Sequence, residues 1–422
     1  MMPTRRQIIL GAAASALPFG HVRAQSKIKL RVAAHAPYAS LHQAVAKAFM
    51  ENNPGVEIDL DTSQANYDDL AQMILRGAVS GSLPDVAFNG NNRLRIFADR
   101  GLAVPVDDLI AADKAAGVDV LPRSVLSIGT LNGKNYGLGF TVSVPVVYYN
   151  VDLIRAAGAD PSKLPTTWED ILALAAKIND PAAGLLGFFF NYDQLDWFWI
   201  ALIESQGGRM MSADERRIAF DGPDGLRALQ LLKAFGAAGQ GQVDMTRNQA
   251  MQAFTAGKIG IFVQSSSDVG LYEKQSNGQV TTVVGRFPLL SEKARLPAGG
   301  AMSIMFAKDP STRQAAWDYM KFASGPIGQT IVATQSGYMV ANSQVAEDPK
   351  RLAPFYAKSP NMKPVIEQLS LLDGWYAYPG ANGAKISTVI RDRMRDVVQQ
   401  RQSPSEALES MSKEVTALLP KG

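Results

Sequence analysis

The sequence predicts an α/β chain folded as two lobes joined by crossing strands, on three observations. Its 422 residues exceed the size at which a single hydrophobic core stops growing. Residues 28–88 read strand, helix, strand, helix, strand, the order of an open α/β sheet. The stretch Gly137 to Asn150, GLGFTVSVPVVYYN, is β-branched and aromatic but carries Pro145 inside it. Proline cannot donate to a sheet ladder, so the strand must break, bend or run at an edge there. An extended run broken in this way, with turn glycines before it and a helix-rich segment after it, suits a crossover between lobes.

Arg5 and Arg6 precede the apolar run Ile8 to Leu17, and Val22-Arg23-Ala24 puts small residues where a signal peptidase reads. Residues 1–24 are therefore expected to be an export signal, cleaved after Ala24. Thr4 to Leu10 resembles a twin-arginine signal, with an ordinary secretory signal as the alternative. The apolar run is too short to span a bilayer. The formal charge is +3, and loss of Arg5, Arg6 and Arg23 leaves a neutral remainder. That balance gives no electrostatic case for nucleic acid or an anionic membrane surface. Cysteine is absent, which excludes disulfides, thiolate metal sites and a lipid anchor at the cleavage site. A protein free in a periplasm is expected.

Ile28 to Ala33 alternates apolar and polar residues, a strand signal. Ser40 is a candidate N-cap for a helix with Leu41, Ala44, Val45, Ala48 and Phe49 inward, stopped by Asn53-Pro54-Gly55. Val56 to Leu60 is a second strand, Leu70 to Gly77 marks a second helix, and Val86-Ala87-Phe88 is a third strand. Ligands of open α/β sheets sit beyond the carboxyl ends of strands, which nominates His35 to Tyr38, Ala65 to Asp68 and Asn89 to Asn92. Tyr67 reads either as a ligand contact or as a helix-start aromatic on the core. Asn89 offers a donor and an acceptor to hydroxyls, or is a turn residue.

Tyr148 and Tyr149 could suggest ferric iron, but neighbours in a strand face opposite ways, and core packing is expected. Thr167 and Asp170 open a helix in the manner of a capping box, with Ile171, Leu174, Ala175 and Ile178 buried. Phe188 to Ile200, FFFNYDQLDWFWI, is the densest aromatic stretch. Flat rings match the apolar faces of sugar rings at low entropic cost, and Trp197, with Trp199 second, is either such a platform or core. Asp193 and Asp196 sit too close in one segment to straddle a glycosidic bond. They are expected in a solvated loop or as acceptors of ligand hydroxyls. Ser265 to Ser267 end a strand beginning near Ile259, and Ser266 either meets ligand or caps the next helix.

Pro297 to Ser303 precedes Ile304-Met305-Phe306, then Ser311 to Ser324 reads as an amphipathic helix. Gly374 to Asn382, GWYAYPGAN, is glycine- and aromatic-rich and precedes two terminal helices. Trp375 could cover a bound ligand.

Taken together, the crossing stretch, Asn66-Tyr67-Asp68, the Pro84 to Phe88 strand, Pro165 to Asp170, Ala256 to Ile261, Pro297 to Ser303 and Ser336-Gly337-Tyr338 resemble, in this order, extracellular solute-binding proteins of bacterial ATP-driven importers. The family includes the maltose and glycerol-3-phosphate binders. The resemblance implies a two-lobed periplasmic binding protein fold of type II, hinged at its crossing strands. Residues 25–142 and 300–341 would form one lobe, and 143–299 and 342–422 the other. It implies ligand contacts at Tyr38, Tyr67, Asn89, Ser143, Trp197, Ser266, Gly300, Tyr338 and Trp375, where Gly300 would let ligand approach backbone. Pro379 falls where the glycerol-3-phosphate binders carry an arginine for phosphate, which favours a neutral sugar or polyol. The expected partners are that solute and an ABC membrane permease that reads lobe closure, with a monomeric carrier and no cofactor or metal. A periplasmic enzyme is the competing class. Against it, the chain lacks G-x-S-x-G, H-E-x-x-H and a phosphate-cradling glycine loop, and keeps only His35 and His42 after signal removal.

Overall fold

The structure, a computed structural model, describes residues 27–118, 121–192, 196–270, 272 and 280–421. The export signal and Asp193 lie outside the described residues. Two separate sheets carry the fold. The larger runs Met339–Val340, Gly137–Ser143, Leu296–Met305, Val86–Gly90, Ile28–His35, Val56–Gln64, with Leu372–Gly374 paired to the start of Leu296–Met305. Ile28–His35 is parallel to both of its neighbours, whereas Leu296–Met305 is antiparallel to Val86–Gly90 and Gly137–Ser143. The smaller sheet runs Thr282–Arg286, Pro145–Asn150, Ile259–Ser265, Leu186–Phe190.

Helices cover these sheets, which is why the central strands read as continuous apolar runs. Every residue of Gly137–Ser143 and Pro145–Asn150 is buried, including Tyr148 and Tyr149, whose hydroxyls donate to the carbonyls of Ser265 and Pro165. The small lobe's core is built on rings: Trp168 lies 4.9 Å from Phe235 and 5.1 Å from Phe287. Thr167 caps its helix by accepting from the Asp170 N–H, and its hydroxyl donates to the Asp170 carboxylate.

Two local expectations are corrected. Helix Ala39–Asn52 begins before Ser40, because a short 3-10 turn, Ala36–Tyr38, leads straight into it and Tyr38 takes the capping place. Its inward face holds His42 and Ala46 in place of Ala44 and Ala48. His42 packs between Phe88 and Phe140 with centroids 4.7 and 5.3 Å away. A neutral imidazole is flat enough to fill a ring-lined slot, and burial pushes its pKa down to about 3.

The break at Pro145 is where the chain changes sheets. Gly137–Ser143 ends in the large sheet and Pro145–Asn150 begins in the small one, with Val144 between. The N–H that proline lacks falls at the changeover, where the ladder ends anyway. Val144 is tied by a reciprocal pair: its N–H donates to Ser266 Oγ at 3.0 Å, and the Ser266 N–H donates to its carbonyl at 2.9 Å. Leu296–Met305 is the second crossing: Leu296 to Ala298 pair with Leu372–Gly374, and the chain from Gly299 onward pairs with Gly137–Ser143. Gly300 holds φ +102, and a Cβ there would lie 2.2 Å from the Thr141 carbonyl oxygen. Only glycine fits that position. Asn342 still donates to the Ser324 carbonyl on the large lobe. Asn361 and Gln368 then donate to Thr282 and Pro145 of the small sheet.

Candidate functional site

The loops beyond the strand ends of both sheets face one another, and aromatic side chains gather there in two groups. The first comes from the large lobe. Tyr38 follows the strand Ile28–His35, Tyr67 opens helix Tyr67–Ser80, and Tyr338 precedes Met339–Val340. His35 sits 4.0 Å from Tyr67 and 5.2 Å from Tyr38, and Tyr38 lies 5.3 Å from Tyr338. The Tyr338 hydroxyl is within hydrogen-bonding reach of those of Tyr38 and Tyr67. Burial raises the pKa of all three phenols, so they stay neutral donors, and it pushes His35 down to about 4. The small lobe closes against this group. Asp268, whose charge reaches Tyr38 and Tyr338, accepts two bonds at 2.7 Å from the Arg247 guanidinium. Gly337 approaches Ser267 so closely that a Cβ would lie 2.3 Å from its carbonyl oxygen.

The second group is Trp197 and Trp375, with centroids 6.0 Å apart. Trp197 opens helix Trp197–Glu204, donates to the Pro297 carbonyl at 3.1 Å and is 1% exposed. Gly299 makes this possible, since a Cβ there would meet Trp197 Cζ2 at 3.1 Å and Ser143 Oγ at 2.4 Å. Trp375 is only partly buried and donates to Asp196 Oδ1, whose other oxygen accepts from Ser387. Asp196 is thus not in a solvated loop as expected. It is 1% exposed, and desolvation, opposed by its bonds to Ser387 and Trp375, raises its pKa to about 6. Trp199 is fully buried, with its ring edge-on to Phe220.

The remaining nominated residues lie in or directly after strands of the two sheets. Asn89 is fully buried, its Oδ1 accepting from Gly90 N–H while its Nδ2 has no partner among the described residues. Ser143 pairs with Gly299 in the large sheet. Ser266 uses its hydroxyl and N–H on Val144, so it sits in the hinge itself. Gly300 follows Gly299 at the second crossing. The structure thus brings Tyr38, Tyr67 and Tyr338 into one cluster and Trp197 and Trp375 into another, bridged by the crossing strands.

Beside Trp375 opens a cavity of about 840 Å³, which Asn91 of the nominated loop Asn89 to Asn92 also lines. Gly374, Tyr376 and Ala377 of the aromatic stretch singled out in the sequence line it too, whereas its charged walls were not legible there. Arg95, 6% exposed at its side chain, reaches from the large lobe to Glu215, on the loop following helix Trp197–Glu204. Both terminal guanidinium nitrogens donate to the carboxylate, one of them at 3.1 Å, and the Tyr376 hydroxyl donates to it at 2.9 Å. Arg123 and Arg295 approach Asp373 at 3.5 and 3.9 Å. Glu204 also lines the cavity. The single sequence signal for it was an acid ending an otherwise apolar helix, WFWIALIE. Chemically the junction offers ring faces, phenol and serine hydroxyls, amide groups and paired charges. His35 and His42 are buried among rings, and the Nδ1 of each has no hydrogen-bond partner among the described residues. Among the described residues, no group of three or more His, Asp or Glu is placed to hold a metal ion.

Known proteins share this architecture. A cyclic alpha-maltosyl-1,6-maltose binding protein from Arthrobacter globiformis superposes with TM-score 0.78 at 20% identity, covering 94% of this chain and 100% of its own. UgpB from Mycobacterium tuberculosis, solved in complex with glycerophosphocholine, gives 0.76 at 17% identity over 93% and 98%. In sequence, a binding protein of Brucella abortus (strain 2308) is 24% identical over 391 residues, 90% of each chain. The sn-glycerol-3-phosphate-binding periplasmic protein UgpB of Pectobacterium atrosepticum is 23% identical over 292 residues, 66% of this chain and 65% of its own. The profile of the bacterial extracellular solute-binding proteins matches residues 44–364. With two sheets exchanging chain at Val144, a long strand Leu296–Met305 that changes partners at Gly299, and rings gathered at the junction, the chain belongs to the bacterial extracellular solute-binding protein family.

Proposed function

We propose that this protein is the periplasmic substrate-binding component of an ABC importer, holding a sugar, oligosaccharide or polyol between its lobes and delivering it to the membrane permease. The observation that carries this is the junction: ring faces and hydroxyls converge where two separate sheets meet along a crossing strand. Tyr38, Tyr67 and Tyr338 on one side and Trp375 on the other stack on sugar rings. Asn89, with its unpartnered amide nitrogen, and Ser143 hydrogen-bond hydroxyls. Trp197 backs Trp375 and Gly299, and Ser266 and Gly300 set the hinge. Ligand touches both lobes and shifts the population toward the closed form, which the permease reads. A micromolar carrier needs about −8 kcal/mol, within reach of a few stacked rings and hydrogen bonds. Export, with cleavage after Ala24, delivers the chain to the periplasm, and the solute leaves chemically unchanged.

The UgpB likenesses favour glycerol-3-phosphate or a glycerophosphodiester as the second reading. Both arginines lining the cavity, Arg95 and Arg123, already face carboxylates, which leaves little cation for phosphate and supports the sugar reading. Thermal-shift screening of the mature protein against sugars, polyols and glycerophosphodiesters, followed by small-angle scattering of the hits, tests it. A hit that stabilises, compacts the particle and is recovered intact supports the carrier. Turnover of a chromogenic glycoside, or no stabilisation across the panel, refutes it.

A further inference from the structure

The side chains lining the 840 Å³ cavity include two arginines, Arg95 and Arg123, against three acids, Glu204, Glu215 and Asp373. Arg95 is held by Glu215 and Tyr376, and Arg123 by Asp373, which Arg295 also approaches. One carboxylate lining the cavity is left over. Glu204 Oε2 is sealed from solvent and has no hydrogen-bond partner among the described residues. It ends helix Trp197–Glu204, where the negative end of the helix dipole disfavours a carboxylate further. A sealed acid oxygen without a partner in such a place is costly unless something brings the missing charge. Trp375 and Tyr376 line the same cavity, and ring faces attract cations.

We infer that the solute taken by this cavity carries one ammonium group alongside its hydroxyls, and that Glu204 selects it as the counter-charge. The inference rests on the carrier reading and sharpens its substrate class from neutral sugar to amino sugar or other hydroxylated amine. In the empty protein desolvation, with the nearby Asp373 charge adding to it, pushes Glu204 up to about 8, so at neutral pH the acid is protonated and the cavity bears no naked charge. An ammonium group arriving beside it favours the carboxylate, so binding expels a proton from Glu204. Affinity for a permanently charged cation therefore rises with pH until about 8 and flattens above, where the free acid is already ionised.

The test uses calorimetry on the mature protein with matched probes: glucosamine against glucose and N-acetylglucosamine, deacetylated chitobiose against cellobiose, and choline chloride against sodium chloride at equal ionic strength. The amine members should bind at least about tenfold tighter than their neutral twins, with heats that vary between buffers as proton release requires. Choline should tighten from pH 6 to 8, and Glu204→Gln should reduce the amine preference to about twofold or less. The amino sugars and choline separate a protonated primary amine from a quaternary one. Neutral twins that bind as well as the amines, or an amine preference that survives in Glu204→Gln, overturn the inference. The wild-type pH profile and buffer dependence need no variant, so a misfolded Glu204→Gln does not decide the matter. Neutral sugars that close the lobes while amines do no better overturn this inference and leave the carrier standing. Choline binding without any sugar closing the lobes overturns the sugar reading instead.

Discussion

Arg95 and Glu215 form an ion pair between the lobes, and removing it should weaken ligand binding by a calculable amount. The pair is bidentate and largely desolvated, with side-chain exposures of 6% and 26%. An exposed pair is worth about 0–1 kcal/mol, and breaking a buried one by removing a single partner costs about 3–5 kcal/mol. Opening the lobes rehydrates both ions, so the closed form gains less than the upper figure. Asp99 lies 4.0 Å from Arg95 and takes up part of the charge when Glu215 is lost. We expect a coupling of about 1–2 kcal/mol between the two residues, which is about 5–30-fold in apparent affinity, since each 1.4 kcal/mol is tenfold. The assay is a double-mutant cycle on ligand affinity with Arg95→Met, Glu215→Leu and the double variant. Glu215→Leu alone should cost more than the double variant, because it leaves Arg95 buried and uncompensated. A coupling below about 0.3 kcal/mol, or a single variant no worse than the double, would refute the clasp.

The two tryptophans should behave differently. Trp197→Ala, in a fully packed position, should destabilise the fold by about 3–5 kcal/mol in urea unfolding. Trp375→Ala, on the cavity wall, should lower affinity while leaving most of that stability intact. Gly300→Ala forces a side chain into a φ of +102 against the Thr141 carbonyl. It should cost about 2–4 kcal/mol, measured by denaturant midpoint. Stability should also respond to pH from both sides. His42, held down to about 3, and His35, to about 4, stabilise the fold fully above their unfolded value of 6.5, and that contribution is lost as pH falls through their folded values. Glu204 and Asp196 act oppositely: their folded values of about 8 and 6 are raised, so stability drains as pH climbs from about 4 through those values. His42→Phe should flatten the acid limb of the stability profile, and a slope unchanged from wild type would disprove the assignment.

The gross architecture was legible because it is written in local chemistry. Alternating and β-branched runs set the strands, and Asn53-Pro54-Gly55 stopped a helix where it does stop. Pro145 marked the exchange between sheets because a residue without an N–H belongs where a ladder ends. Thr167 and Asp170 announced a cap that the structure contains. What those signals share is that their partners lie within a few residues.

The junction depended on partners far away in the chain. Arg95 meets Glu215 across 120 positions, and no spacing rule links them. Asp196 looked like a loop acid until Trp375 and Ser387, brought from the far end of the chain, enclosed it. His42 was absent from the inward face read from the sequence, and Phe88 and Phe140 close over it. Ser266 looked equally suited to ligand or cap, and packing gave its hydroxyl to Val144 at the hinge. The sequence by itself determined which segments are strands and helices and where the chain must bend, since backbone preference is a short-range property. Only the tertiary structure decided which charges are neutralised and which, like Glu204, are left over, because desolvation and pairing depend on everything that surrounds a side chain in space.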